Sequence, residues 1–456
     1  MQTESAQHAC TSPPGSAALR AAWLVCGNVY PLFDPKLNMP AGGMETRAAL
    51  FGRGLAATGR WHVSFVVSDF GQPFVTHHEG IDFLIYQPVY RHAGRNVFPR
   101  LRRRGGAPLL RLDWSDLHLC WQIPLIAAWL TLPAFFFPRF WRRLKPAVVC
   151  CFGNNERSAE VIADCRRAGI RTILCIASDK DLAADYRPGN HERNHYGMPK
   201  WKGYYSLAHA DCIVVQSATQ RKVLQRHFDR DAVLIRNPVH AAADDPQRWL
   251  LRKDRDYVIW IGRTDSYNKR PMLFLELARH CPALAFVMVV SRTDKTQFAA
   301  LELNRPPNLR ILENLSPDEV QDCLRHAKLF VNTSQFEGFP NTFLQSAVMG
   351  VPIVSLAVDP DGMLAGDGCG LCAGENVDLL GEYVQRLWHD DDYAEQLARA
   401  CHRYVLECHA APARISEFAA CLEAQGNLGG RQNRTRWWQK LRRFAGNPKM
   451  GRPIKL

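Results

Sequence analysis

The 456-residue sequence has little that would tie it to an oxidising compartment, a zinc site or a secretory route. Its 15 cysteines follow no disulfide or zinc spacing. Cys369 and Cys372 make a C-x-x-C, but within the glycine-rich "GDGCGLCAG" and with no second pair, so they read as chance neighbours. Unpaired thiols in such number suit a reducing, cytoplasmic setting. The opening "MQTESAQHACTSPPGSAALR" has no apolar core, and reads as a disordered tail rather than a signal peptide. No repeat of solenoid period is visible, and no D-x-D metal-binding motif lies at a strand end, as a metal-independent protein would have it. Asp390 to Asp392 have that spacing, in what reads as a solvent-facing turn between helices.

Acid is missing from two particular places. Arg431 to Leu456 hold nine Lys or Arg and no Asp or Glu, and so supply most of a net charge of +13. Phe83 to Leu112 carry seven arginines, including "RLRRR" at Arg100 to Arg104, again without an acid. Such blocks attract polyanions, either nucleic acid or anionic lipid.

What is present is a long alternation of short β-branched runs with helical patterns, the mark of parallel sheets covered by helices. Strands are expected at "WLVCG" (Trp23), "HVSFVVS" (His62), "FLIYQ" (Phe83), "AVVCCF" (Ala147), "RTILCIA" (Arg171), "CIVVQS" (Cys212) and "AVLIRN" (Ala232). A polar, charged stretch from His240 to Asp256 reads as a linker. Strands then resume at "YVIWIG" (Tyr257), "AFVMVV" (Ala285), "NLRIL" (Asn308), "KLFVNTS" (Lys328) and "VPIVSL" (Val351). The fold class is therefore α/β, with two Rossmann-like halves facing across a cleft. Ligands of such sheets bind beyond the carboxyl ends of the strands, so those loops are the place to look.

Three of them carry chemistry. Gly42 and Gly43 precede a helix starting near Met44, where bare N–H groups and the positive helix end favour an anion; the alternative is a plain turn. In "VIWIGRTDSYNKRP" the strand ends at Gly262, and Arg263 and Lys269 follow, two permanent cations able to neutralise a diphosphate. The alternative there is a solvated basic loop. Third, "SQFEGFPNTFLQSAVMGVPIVSL" delivers Glu337 at a strand's end. Gly338 loosens the turn, Phe339 and Pro340 lead into a helix, and Asn341, Thr342 and Phe343 offer its free first-turn amides. Gln345 lies about two turns on, on roughly the same side. An acid beside an anion-binding helix start suits a sugar hydroxyl next to a phosphate; the bland alternative is an acid that caps its own turn.

"GGMETRAALFGRGLAATG", "IGRTDSYNKRP", "RNPV" and "EGFPNTFLQSAVMGVPIV" occur in the order and spacing of glycosyltransferase family 4, the retaining GT-B enzymes, and the chain resembles that family from about Trp23 to Ala424. "VDPDGML" and "YVLECH" look like it too. The resemblance implies a GT-B fold with an acceptor domain at 21–245 and a nucleotide-sugar domain at 246–405. A helix at 406–426 crosses back, between a disordered tail at 1–20 and a basic amphipathic tail at 427–456. It implies that Gly43 contributes diphosphate amides, that Arg263 and Lys269 offset diphosphate charge, and that Glu337 addresses the donor sugar. No metal or other cofactor is expected. Two positions depart from the family. Gln345 replaces a second acid that usually accepts from ribose hydroxyls, and an amide oxygen accepts more weakly. The loop "CIASDKDL" has Ser178 and Asp179 where many members carry histidine. Asp179 is the candidate for acceptor activation or positioning, with helix capping as the alternative.

The expected partners are a nucleotide-sugar donor, a glycan or lipid-linked acceptor and an anionic membrane surface, with no nucleic acid. On a helical projection the tail "RTRWWQKLRRF" puts Trp437, Trp438, Leu441 and Phe444 on one side and Arg436, Lys440, Arg442 and Arg443 on the other, as an interfacial membrane helix does; the alternative is a disordered basic tail. Leu119 to Pro138 hold no charge and fit a helix buried on the sheet, a segment dipping into a membrane, or a span. "RFWRRLK" just after them would suit anionic headgroups. Rival readings are a GT-B protein with altered catalysis, a nucleotide-sugar epimerase, or a nucleic-acid-binding protein using the basic blocks.

Overall fold

The computed structural model describes residues 19–37, 39, 42–73, 75–85, 141, 144, 146–240 and 255–427. The basic blocks beyond residue 85 and at 431–456, the apolar stretch 119–138, the N-terminal tail and most of the linker lie outside the described residues.

The first sheet is built from β1 (Arg20–Val25), β2 (Trp61–Val67), β3 (Val75–His78), β4 (Ile81–Ile85), β5 (Val148–Phe152), β6 (Thr172–Cys175), β7 (Cys212–Val215) and β8 (Val233–Leu234). Their order is β3-β4-β2-β1-β5-β6-β7-β8, parallel except for β3, which runs antiparallel to β4 at the edge. The second sheet holds β9 (Tyr257–Arg263), β10 (Ala285–Ser291), β11 (Leu309–Glu313), β12 (Ala327–Asn332), β13 (Ile353–Ser355) and β14 (Gly370–Cys372). It is parallel throughout, in the order β11-β10-β9-β12-β13-β14. Each sequence-read strand is present, joined by two that were not read, β3 and β14.

The helices of the first half are α1 (Gly43–Ala57), α2 (Glu156–Ala168), α3 (Lys200–His209) and α4 (Ala218–Phe228). Those of the second are α5 (Pro271–His280), α6 (Lys295–Leu303), α7 (Pro317–His326), α8 (Asn341–Val348), α9 (Val377–His389) and α10 (Asp391–His409); α11 (Ala411–Asn427) ends the described chain. Both faces of each sheet are covered, as parallel sheets require. Along β1 the two-residue period sends Ala22 and Leu24 to one core and Trp23 and Val25 to the other. Trp141, within "RFWRRLK", is fully buried and edge-on to Trp23 at 6.0 Å, so this residue belongs to the core and not to a headgroup-facing surface. Among the described residues no helix is long and apolar enough to cross a membrane.

The chain passes between the halves twice, side by side. Val239 donates to the His409 carbonyl (2.9 Å), and Ala411 donates to the Val239 carbonyl (3.0 Å). Beyond Ala410, α11 packs on the first sheet, its Phe418 ring 4.3 Å from that of Phe51 in α1. His409 is wholly enclosed at this crossing. Its Nδ1 is 2.8 Å from the Asn237 carbonyl, an acceptor only, so Nδ1 carries the proton. Burial pushes this imidazole down to about 3, which keeps it neutral.

In the second sheet the strand order reverses between β9 and β12, and in the first between β1 and β5. The loops after β9, β12 and β1 are the ones singled out by sequence. They open where a ligand crevice forms in sheets of this kind.

Candidate active site

Two loops of the second domain are laced together. After β9, Asp265 accepts from the backbone of Tyr267 (3.1 Å) and Asn268 (3.2 Å). Asn268 in turn accepts from Phe336 N–H (3.2 Å), and its carbonyl accepts from Gln335 N–H (2.9 Å). Thr333 donates to the Lys269 carbonyl (2.7 Å) and accepts from the Trp260 indole (2.9 Å). This lacing brings Lys269 and Glu337, 68 residues apart, into a direct ion pair, with side chains 19% and 18% exposed. Arg263 is more open, at 46%, and lies 3.5 Å from Asp265. Gly262 packs against Trp260, whose ring would lie 2.6 Å from an added Cβ, so this glycine is demanded by its own domain's core.

Helix α8 starts behind Pro340 with no side-chain cap, leaving the amides of Asn341 and Thr342 without the usual capping acceptor. Asn341 bridges the domains: its Nδ2 donates to the Gly43 carbonyl (2.8 Å), and its Oδ1 accepts from Asn237 Nδ2 (3.0 Å). The same Asn237 nitrogen donates to the Phe339 carbonyl (3.1 Å). The starts of α1 and α8 therefore meet, and both present the positive ends that favour an anion. At Gly42 the helix's own Glu45 carboxylate comes within 2.6 Å of where a Cβ would stand. Gln345 and Thr342 are half-buried on α8.

Facing these groups, the 3-10 turn Asp179–Leu182 of the first domain follows β6. Asp179 is open to the cleft on one side and crowded by protein on the other. Loss of water pushes its carboxyl up to about 6; the Gln220 hydrogen bond opposes this, while Glu337, Asp181 and Asp361 add to it. Asp179 and Glu337 thus stand within electrostatic reach of each other. Ser178, rather than Asp179, caps this turn, in a box with Asp181.

Contrary to the sequence expectation, two D-x-D spacings follow strands, Asp179–Asp181 after β6 and Asp359–Asp361 after β13. Asp181 accepts from Ala177 N–H (2.7 Å) and Ser178 N–H (3.2 Å). Asp359 accepts from Leu364 N–H (2.7 Å) and Ala365 N–H (3.2 Å). Asp361 accepts from Ala218 N–H (2.8 Å) and Thr219 N–H (2.9 Å) at the start of α4 and pairs with Arg236 (3.1 Å). Burial pushes the Asp361 carboxyl up, but these amides and the Arg236 guanidinium outweigh it and hold it below the usual range. Asp390, between α9 and α10, and Asp391 and Asp392, in the first turn of α10, are exposed, and Asp390 accepts from Tyr393 N–H (2.9 Å).

Sequence reasoning missed Gln216, Gln220, Asn237 and the role of Asp361, and it missed the loop of His195 and Tyr196 beside Arg263. There a cavity of about 280 Å³ is lined by His195 and Tyr196 of one domain and Arg263, Asp265, Tyr267 and Asp294 of the other. His195 stacks on Tyr267 at 4.0 Å and 15°. The available signals were a polar residue at the end of "CIVVQS" and the motifs "RNPV" and "VDPDGML".

Residues 242–403 match the model of the family described as glycosyl transferases group 1. That match takes in all six strands of the second sheet. The matched span contains Arg263, Lys269, Glu337, Asn341 and Gln345. The chain is similar to sucrose-phosphate synthase from Thermosynechococcus elongatus, with TM-score 0.64 and 17% identity over 89% of this chain and 98% of that one. It is similar to Anabaena HepE in complex with UDP and glucose (TM-score 0.59, 10% identity, 89% and 100% covered). It is also similar to trehalose 6-phosphate synthase from Burkholderia multivorans (TM-score 0.57, 12% identity, 90% and 100% covered). No curated protein sequence matches the chain at a significant level. The fold is α/β, two-domain and GT-B-like. Domain match and fold together support a nucleotide-sugar-dependent glycosyltransferase.

Proposed function

We propose that the chain is a retaining, metal-independent glycosyltransferase of family 4 that moves a sugar from a nucleotide diphosphate donor to a glycan or lipid-linked acceptor. The observation that carries this reading is the Lys269–Glu337 pair. It joins the loop that carries Arg263 to the loop that leads into the uncapped start of α8, and Asp179 of the other domain lies within electrostatic reach of Glu337. Breaking the sugar–phosphate bond builds negative charge on the departing diphosphate and positive character on the sugar. Arg263, Lys269 and the amides of Asn341 and Thr342 are preorganised for the first charge, and permanent cations of this kind can serve without a metal ion. Glu337 hydrogen-bonds a hydroxyl of the donor sugar. Asp179, ionised above about pH 6, accepts from the acceptor hydroxyl and takes its proton as the new C–O bond forms on the face the diphosphate leaves. Gln345 accepts from the donor ribose through its amide oxygen.

The address we propose is the cytoplasmic face of a membrane, through the nine cations and paired tryptophans of residues 431–456. Each basic residue near an anionic leaflet contributes about 1 kcal/mol, so half of them engaged gives reversible binding. The reading is tested by thermal shift and turnover with UDP-, GDP- and ADP-sugars, in chelator, on wild type and Glu337→Gln. One donor should stabilise both proteins, and Glu337→Gln should fold but not transfer. Turnover by Glu337→Gln within a few-fold of wild type, or turnover restored only by magnesium or manganese, would overturn it.

A further inference from the structure

Gln220 lies in the first turn of α4, is 1% exposed, and has a fully assigned amide. Its Oε1 is 2.9 Å from Gln216 N–H, a group that can only donate. Its Nε2 therefore faces Asp179 and donates to Oδ1 at 2.9 Å. Beside it, Gln216 Nε2 donates to the Ile176 carbonyl (2.7 Å). These two amides and the Ala177 carbonyl are also the wall against which Gly338 of the other domain sits. An added Cβ there would stand 2.8 Å from Gln220 Nε2, 2.9 Å from Ala177 O and 3.1 Å from Gln216 Nε2. One side chain thus touches both the Asp179 carboxylate and the residue next to Glu337.

We propose that Gln220 is a positioning residue for transfer: it fixes the orientation of the Asp179 carboxylate and, by lying against Gly338, ties that orientation to the meeting of the two domains. This rests on the reading of Asp179 as the acid that addresses the acceptor. With Oδ1 held by Gln220, Oδ2 is the oxygen presented to an incoming hydroxyl. Asp181 and Lys180 lie on Asp179's own turn. From the second domain come Glu337, paired with Lys269, and Asp361, paired with Arg236 of the first domain. The three surrounding acids all disfavour a charged Asp179, and the Gln220 N–H opposes them.

The test uses the full chain labelled with ¹³C at aspartate carboxyl carbons, without any ligand. The Asp179 resonance is the one missing from Asp179→Asn. In wild type it should titrate near pH 6. Gln220→Met keeps the bulk and removes the donor, and should move that titration up by about half to one pH unit, the scale of one hydrogen bond to a charged group discounted for its open side. Gln220→Glu keeps the bond from Gln216 N–H but sets a carboxyl against Asp179, and should move it further. In transfer assays with the donor identified above, the acid limb of kcat should shift with the titration while the donor KM stays within a few-fold. An unmoved Asp179 titration in both variants, or a shifted titration with an unshifted acid limb, would overturn the proposal. If Asp179→Asn transfers at the wild-type rate, the acceptor role of Asp179 fails instead, and the carboxyl titration still decides whether Gln220 orients it.

Discussion

Gly338→Ala is the smallest change that interrogates how the two domains meet. The backbone at Gly338 needs no left-handed conformation, so the cost of a methyl there is purely one of space. That methyl would sit 2.8 to 3.1 Å from two amide nitrogens and a carbonyl oxygen, all of the other domain, closer than carbon normally approaches. Both amides are already hydrogen-bonded and the carbonyl is backbone, so none of the three yields without breaking something. Overpacking of this kind costs about 1–3 kcal/mol. Because the clash exists only while the domains are together, the cost falls on the closed form. It should lower kcat/KM for the donor roughly 5- to 150-fold and leave thermal unfolding nearly unchanged. Gly262→Ala is the control: its methyl would strike Trp260 within one domain, so it should lower Tm first. The assays are steady-state turnover, small-angle scattering with and without donor, and thermal denaturation. Gly338→Ala turnover within twofold of wild type, or a Tm loss as large as that of Gly262→Ala, would refute the argument.

Lys269→Ala should cost more than Arg263→Ala, about 10²-fold against about tenfold in kcat/KM, because it also strands the part-buried Glu337 carboxylate while Arg263 is half exposed; equal losses in steady-state kinetics would contradict this. His409 has a folded value of about 3 against an ordinary 6.5. Its contribution is therefore fully present above pH 6.5 and lost as pH falls toward 3, roughly 5 kcal/mol in all. Urea unfolding from pH 7 to 4 should show a steeper decline in wild type than in His409→Gln, and parallel declines would refute it. Removing residues 431–456 should abolish co-sedimentation with anionic vesicles at low salt without changing donor binding. A truncated chain that still sediments would move the anchor elsewhere.

The parallel strands were legible because burial on both faces turns each into a short apolar run bounded by turn residues. β3 was not, since "VTHH" is half polar and its edge position asks for no such run. β14 was not, since "GLC" is three residues inside a glycine-rich segment and is held by its register against β13. Within the second domain the site could be read for a similar reason: Arg263, Lys269 and Glu337 leave the ends of neighbouring strands β9 and β12, so strand order brings their loops side by side. A cation six residues past one strand and an acid five past the next still need the Asn268 and Thr333 lacing to meet. Nothing in composition or spacing announces that lacing.

The contacts between domains were illegible for a deeper reason. Asn341 and Gly43 are separated by 298 residues, Asn237 and Phe339 by 102, and Ala218 and Asp361 by 143. Each is an ordinary polar residue whose partner is a backbone group, and a backbone group leaves no trace in the sequence. Such bonds exchange readily with water, and each contributes only about 1 kcal/mol net. A cleft closed by Asn341 on Gly43, Asp361 on the start of α4 and Gly338 in its socket is therefore held by small, separable contacts rather than by a shared apolar core. Under the proposed function that suits two substrates entering between the domains, because opening exposes groups that water satisfies at once. It also explains why the acids are divided as they are. Glu337 stands on the second domain and Asp179 on the first, so under the proposed function the two act together only when the domains meet and water is thinned around the bond to be broken.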